Sequence, residues 1–171
     1  MRLTPIQDQA EKILNRRWGR PGFDALFREE QEVLALYWLE VEVLNGGFHQ
    51  YFCNSAGDLA PLAVSGLKRI DAPVALGLLE TAMANLCAGE YPTDRDSRWD
   101  ALSALGEEPD VFDDVGDRFR EQREPFREMA LERLAQSYGL LAGAPGTDMV
   151  MTSDGKVIVA DLAFFEPSSR K

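Results

Sequence analysis

Glu42-Val43-Leu44-Asn45-Gly46-Gly47-Phe48-His49-Gln50-Tyr51-Phe52-Cys53-Asn54-Ser55-Ala56-Gly57-Asp58 is the stretch on which the reading of the fold turns. Two successive glycines end a helix, because Gly tolerates positive φ where other residues are strained, and Asn45 tolerates the same region. The three residues together predict one tight turn. Phe48, Tyr51 and Phe52 follow at i, i+3 and i+4, which places three rings on one face of a short helix. Glu42, Gln50 and Asn54 are expected to hydrogen-bond the turn's free backbone groups, since buried polar groups need partners. The stretch therefore reads first as architecture, and as a polar ligand pocket second.

Working outward, the helix entering this turn should run from about Arg28 to Leu44, with Val33, Leu36, Tyr37, Glu40 and Val41 on neighbouring turns. Before it, Thr4 and Pro5 open a helix whose Ile6, Ala10, Ile13 and Leu14 share a face, and Gly19 closes it. Beyond Gly57, a helix spans roughly Asp58 to Ile70. Asp71 is expected to cap the next, which has Pro73 near its start and Ala75, Leu78, Leu79, Ala82, Met83 and Leu86 inward. Trp99, Leu102 and Leu105 are spaced for one modest helix. Pro109 opens another with Val111, Phe112, Val115 and Phe119 on one side, and Pro125 a last one with Phe126, Met129, Leu134 and Tyr138 inward.

The tail changes period. Met149-Val150-Met151-Thr152 and Lys156-Val157-Ile158-Val159 flank Ser153-Asp154-Gly155, and Asp-Gly is a strong turn signal for a β-hairpin. The expected fold is mainly α, a single-domain antiparallel helical bundle with a small C-terminal β-hairpin. The helical domain takes residues 1–145. The extension at 146–171 must pack on that domain or on a dimer partner, because a lone hairpin is marginal in water.

With 171 residues, 45% of them hydrophobic, the chain can bury a core of its own. No apolar run approaches the ~18 residues of a membrane span, and the N-terminus lacks a signal-type apolar region, so the expected location is the cytoplasm. Cys53 and Cys87 lack metal or redox spacing and read as reduced core thiols, with a disulfide as the alternative.

Charge is the most informative number. Twenty-nine carboxylates against 18 Lys and Arg leave a net charge of −11, a field that repels nucleic acid and steers basic proteins toward the surface. Between Glu90 and Asp117 stand Glu90, Asp94, Asp96, Asp100, Glu107, Glu108, Asp110, Asp113, Asp114 and Asp117 against Arg95 and Arg98 alone. The acidity is regional. Asp110, Asp113, Asp114 and Asp117 fall on one helical face, at one charge per about 3.5 Å of axis, near the ~3.4 Å charge spacing of one DNA strand. The competing reading is a solvated coat, with Glu107, Glu108 and Asp110 suiting the positive end of a helix dipole. Glu121, Glu124, Glu128 and Glu132 alternate with arginines and read as salt-laced surface.

Catalytic patterns are scarce. His49 is the only histidine, and Cys53, four residues on, is its one appealing nucleophilic neighbour, with no third orienting group evident. No phosphate-cradling loop or nucleophile elbow occurs. Asp94, Asp96 and Asp100 fail as a calcium loop, since Trp99 stands at the sixth position and Leu105 at the twelfth. No metal, no cofactor and no enzymatic activity are expected.

Asn45-Gly46-Gly47-Phe48, Gln50-Tyr51-Phe52 and Asn54, following a helix that carries Glu42, resemble the signature of the bacterial DNA mimic protein 19-like family. The likeness continues through Leu79-Glu80-Thr81-Ala82 and more weakly to Phe112-Asp113-Asp114 and the helix near Phe126. It covers roughly residues 25–140 and leaves out the tail. The resemblance implies an all-helical fold and, for the member that gives the family its name, mimicry of DNA at the DNA-binding face of a transcription factor.

The leading expectation is an acidic protein-binding module, with Asp94, Asp96, Asp100, Glu107, Glu108, Asp110, Asp113, Asp114 and Asp117 meeting a basic DNA-binding protein such as a transcription factor. Direct binding of nucleic acid or membrane is not expected. Two alternatives stand beside it. One is a ligand or enzymatic pocket around Glu42, Asn45, His49, Gln50 and Asn54, and the other a structural or immunity-type subunit that forms a homodimer through the hairpin.

Overall fold

A computed structural model of the chain describes residues 3–19, 22–106, 111–142, 150–152 and 157–158. The fold is mainly α. Among the described residues are seven α-helices, α1 (Pro5–Trp18), α2 (Arg28–Cys53), α3 (Ala60–Arg69), α4 (Pro73–Leu86), α5 (Arg95–Ala104), α6 (Asp113–Glu121) and α7 (Phe126–Ser137). Three short strands follow, β1 (Leu140–Ala142), β2 (Val150–Thr152) and β3 (Val157–Ile158). The residues sort into two compact units, one of 1–30 with 128–171 and one of 31–127.

In the first unit, Thr4 and Pro5 start α1 as the sequence requires. The Thr4 hydroxyl accepts from the Gln7 amide, and the Gln7 side chain accepts from the Thr4 amide at 2.9 Å, a reciprocal capping box. Ala10, Ile13 and Leu14 are buried. The carboxylate of Glu30 is also buried, and its partners account for that. It accepts from the Phe27 amide at 2.8 Å and the Tyr138 hydroxyl at 2.6 Å, with Arg17 Nε 2.5 Å away. A buried charge is tolerable only when so satisfied.

β1, β2 and β3 form one antiparallel sheet in that order, with Leu140 opposite Thr152 and Val150 opposite Ile158, and α1 lies beside β1 and β2. The strands expected in the tail fall on β2 and β3. The Ser153-Asp154-Gly155 turn lies outside the described residues. Strand β1 was not expected, because three residues directly after a helix carry too short a pattern to show a period of two.

The second unit holds the aromatic core. Phe48, Tyr51 and Phe52 are fully buried, and rings from distant segments meet them: Phe119 on Phe48 and Phe112 on Phe52, each at 5.5 Å between centroids, with Phe126 on Phe119 at 5.9 Å. α4 packs against α3, α5 and α6.

Asp71 does not cap α4. It adopts φ 55 beyond the end of α3, and α4 starts after Ala72 with no side-chain cap of its own. The free amides of that helix go instead to Glu124, whose carboxylate accepts from Val74 at 3.4 Å and Ala75 at 2.8 Å. Glu124 is thus a cap supplied from 49 residues away and not simply salt-laced surface. Val111 is also not inward. It precedes α6 in a turn, where the helical phase does not apply, and is 42% exposed.

Candidate functional site

The Gly46-Gly47 turn lies inside α2, where the two glycines leave helical geometry and split the helix in two. Only Gly47 takes positive φ, at 74, while Gly46 sits at φ −148 and Asn45 stays out of the left-handed region. The expected three-residue account therefore reduces to one. Gly46 is needed for a different reason, close approach: a Cβ there would stand 2.0 Å from the Gln50 side-chain oxygen. Gln50 is held in place by donating to Glu42 Oε2 at 2.7 Å, and Asn54 donates to the same oxygen at 2.8 Å. These side chains bond to one another across the turn. They were expected to bond its backbone, and the difference matters because Glu42 fastens the two halves of α2 together.

The far end of the signature presents the unsatisfied carbonyls of a helix C-terminus. Two arginines of α5 take them. Arg95 Nε donates to the Cys53 carbonyl at 2.9 Å. Arg98, fully buried, donates through Nε to Phe52 at 3.0 Å, through Nη1 to Pro92 at 3.4 Å and Thr93 at 2.8 Å, and through Nη2 to Asn54 at 3.2 Å and to the Asp58 carboxylate. All five donors of the guanidinium are used, which is what permits its burial. Tyr91 adds a hydroxyl bond to the Gly57 carbonyl at 2.9 Å.

Arg98 is the residue that sequence reasoning missed. By charge alone it is one of two basic residues in an acidic segment. A signal was present, since Arg98, Leu102 and Leu105 are spaced i, i+4 and i+7, and the first two form the buried stripe of α5.

The same signature also seats α6, through Phe48 on Phe119 and Phe52 on Phe112. The segments that carry the acidic residues are thus fixed to one core element, one by arginine forks and one by ring packing. Asp96 and Asp100 on α5, and Asp113, Asp114 and Asp117 on α6, are all exposed. Glu107, Glu108 and Asp110 lie outside the described residues.

The exposed acids are not equivalent. Asp94 caps α5 by accepting from the Ser97 amide at 2.9 Å, and that bond, with a further one from the Ser97 side chain, holds its carboxyl below the usual range. Asp117 pairs with Arg120 at 2.8 Å and Asp114 more loosely with Arg118 at 3.6 Å. Such exposed pairs contribute little to stability but offset the charge that Asp114 and Asp117 would present to a partner. Among the described residues Asp96, Asp100 and Asp113 make no ion pair.

His49 Nδ1 and Cys53 Sγ are 3.9 Å apart on the outer side of the short helix. Burial raises the Cys53 thiol above its ordinary pKa, against the smaller lowering pull of Arg95 and Arg98. Both cysteines are free.

A mainly α protein emerges in which one glycine-broken aromatic helix organises two acid-bearing helices. The chain belongs to the DMP19-like protein family, whose profile matches residues 24–138. That span agrees with the 25–140 read from the signature, and the β-strands of the tail lie beyond it. Comparison with curated proteins and with solved structures gave no match. No helix among the described residues is long and apolar enough to cross a membrane.

Proposed function

We propose that the chain is an acidic protein-binding module that occupies the DNA-binding surface of a transcription factor or another basic nucleic-acid-binding protein. The observation that carries this reading is the exposure of Asp96, Asp100, Asp113, Asp114 and Asp117 on two helices that both pack against α4. A rigid array of carboxylates meets a basic groove with little reorganisation on binding, and its field raises the rate of encounter. The family description is in keeping with DNA mimicry. With a net charge of −11, the module repels nucleic acid itself.

The reading is of a cytoplasmic, non-catalytic protein. A thiol whose pKa is raised is a poor nucleophile at neutral pH, which counts against work by Cys53 and His49. The polar residues of the alternative pocket, Glu42, Gln50 and Asn54, engage one another, which favours a structural role for them.

The test is a pulldown from native lysate at low and high salt with the intact chain and with Asp96, Asp100, Asp113 and Asp114 each changed to Lys. Asp94 is left alone because it caps α5. DNA-binding proteins captured at low salt should be released as salt rises and be lost with the variant, at unchanged helical circular dichroism. Capture that ignores both salt and charge reversal would sink the proposal.

A further inference from the structure

We infer that Trp99 is the anchor of the acidic surface and that it receives an arginine side chain of the partner; this rests on the protein-binding reading above. Trp99 is 49% exposed on α5, at the edge of the stripe that Arg98 and Leu102 bury. Asp96 and Asp100, the exposed carboxylates of that helix without ion pairs, stand three residues before it and one after. Elsewhere the chain covers aromatic rings with its own cations, Arg17 over Phe27 at 4.8 Å and Arg127 over Tyr37 at 4.9 Å. Among the described residues Trp99 has no cation over its ring and no ring contact. Arg95, one turn earlier, is turned to the Cys53 carbonyl.

The chemistry of the occupant follows from these neighbours. Indole is the best aromatic face for a cation, and a guanidinium is planar, weakly hydrated and able to stack on it while its N–H groups pair with a carboxylate. Lysine offers a point charge without that plane. A half-exposed tryptophan on a helix that also carries unpaired carboxylates has the composition of an interface anchor, where a few aromatic residues carry most of the affinity. A second copy of this chain is the less favoured occupant, because it would bring like charges face to face.

The test titrates the intact chain with a peptide of alternating Arg and Gly and with its Lys counterpart, following the Trp99 indole N–H by NMR and affinity by calorimetry. The expected result is a preference for the Arg peptide of about fivefold. Trp99→Ala should abolish that preference while both peptides still bind through charge, and Trp99→Phe should restore part of it. If Trp99→Ala keeps the full preference, the anchor is overturned and the acidic surface survives. If neither peptide binds the intact chain, the underlying reading fails as well. A Trp99 signal that shifts with protein concentration alone, and dimerisation lost in Trp99→Ala, would assign the ring to a second copy and overturn the inference.

Discussion

The Cβ that Gly57 lacks would stand 2.7 Å from Nε of Arg98 and 3.0 Å from the Tyr51 carbonyl. Arg98 cannot yield easily, because its five donors are all engaged. Gly57→Ala should therefore destabilise the fold by roughly 1–3 kcal/mol, the usual cost of overpacking. Arg98→Lys keeps the charge but offers three donors in place of five, and should cost about 2–3 kcal/mol. Urea denaturation followed by circular dichroism measures both. Loss of less than about 0.5 kcal/mol in Arg98→Lys would mean that the fork does not secure α5.

Gly46 and Gln50 should be coupled. Alanine at 46 would meet the Gln50 side chain and push it off Glu42, so Gly46→Ala should cost about 1 kcal/mol in the intact chain and clearly less once Gln50 is alanine. A double-mutant cycle gives the coupling directly. Additive costs would show that the turn is set by backbone conformation alone.

Three tyrosines make the protein sensitive to alkali. Burial raises the pKa of Tyr51, Tyr91 and Tyr138, the last helped by its hydrogen bond to Glu30. The folded pKa values lie above the unfolded value near 10, so the folded state holds more protons than the unfolded state once pH exceeds about 10. Stability is fully present below that pH and falls above it, by up to about 1.4 kcal/mol per pH unit for each tyrosine. Tyrosinate absorbance from these residues should appear together with unfolding. Full tyrosinate absorbance at pH 11 with helical circular dichroism retained would contradict this.

Tyr51 carries a second expectation. Its hydroxyl is buried with no hydrogen-bond partner among the described residues. Removing an unsatisfied polar group is neutral or stabilising, so Tyr51→Phe should leave thermal stability unchanged or raise it slightly. Destabilisation by more than about 1 kcal/mol would reveal a partner for that hydroxyl.

Glu124→Ala should weaken the start of α4 by roughly 1 kcal/mol, within the range of lost helix caps. Asp71→Ala should not reproduce that loss, although it strains the turn at φ 55. Amide hydrogen exchange at Val74 and Ala75 separates the two. Faster exchange in the Glu124 variant alone is the expected outcome.

The contrast between Glu124 and Asp71 also shows what a sequence discloses. Thr4 with Pro5, the break at Gly46-Gly47 and the buried stripe Phe48, Tyr51, Phe52 were all readable, because each depends on residues within about one helical turn of one another. The cap on α4, the pairing of Glu42 with Gln50 and Asn54, and the burial of Arg98 depend on acceptors brought from elsewhere in the chain. Periodicity reports which face turns inward, but it does not report that an inward position holds a cation because main-chain oxygens from 44 and 46 residues away converge on it. Of the acidic site, the exposure of Asp96, Asp100 and Asp113 was legible from charge. The neutralisation of Asp114 and Asp117 by arginines of their own helix was legible too, at i+4 and i+3, but was outweighed by the count of carboxylates.

Four of the five bonds from Arg98 end on main-chain oxygens, at Phe52, Asn54, Pro92 and Thr93. Those oxygens exist whatever side chains occupy the four positions. In a library of variants selected for folding, Pro92 and Thr93 should accept wide replacement while Arg98 accepts almost none, so a position that resembles an ordinary surface arginine would be among the least permissive of the chain.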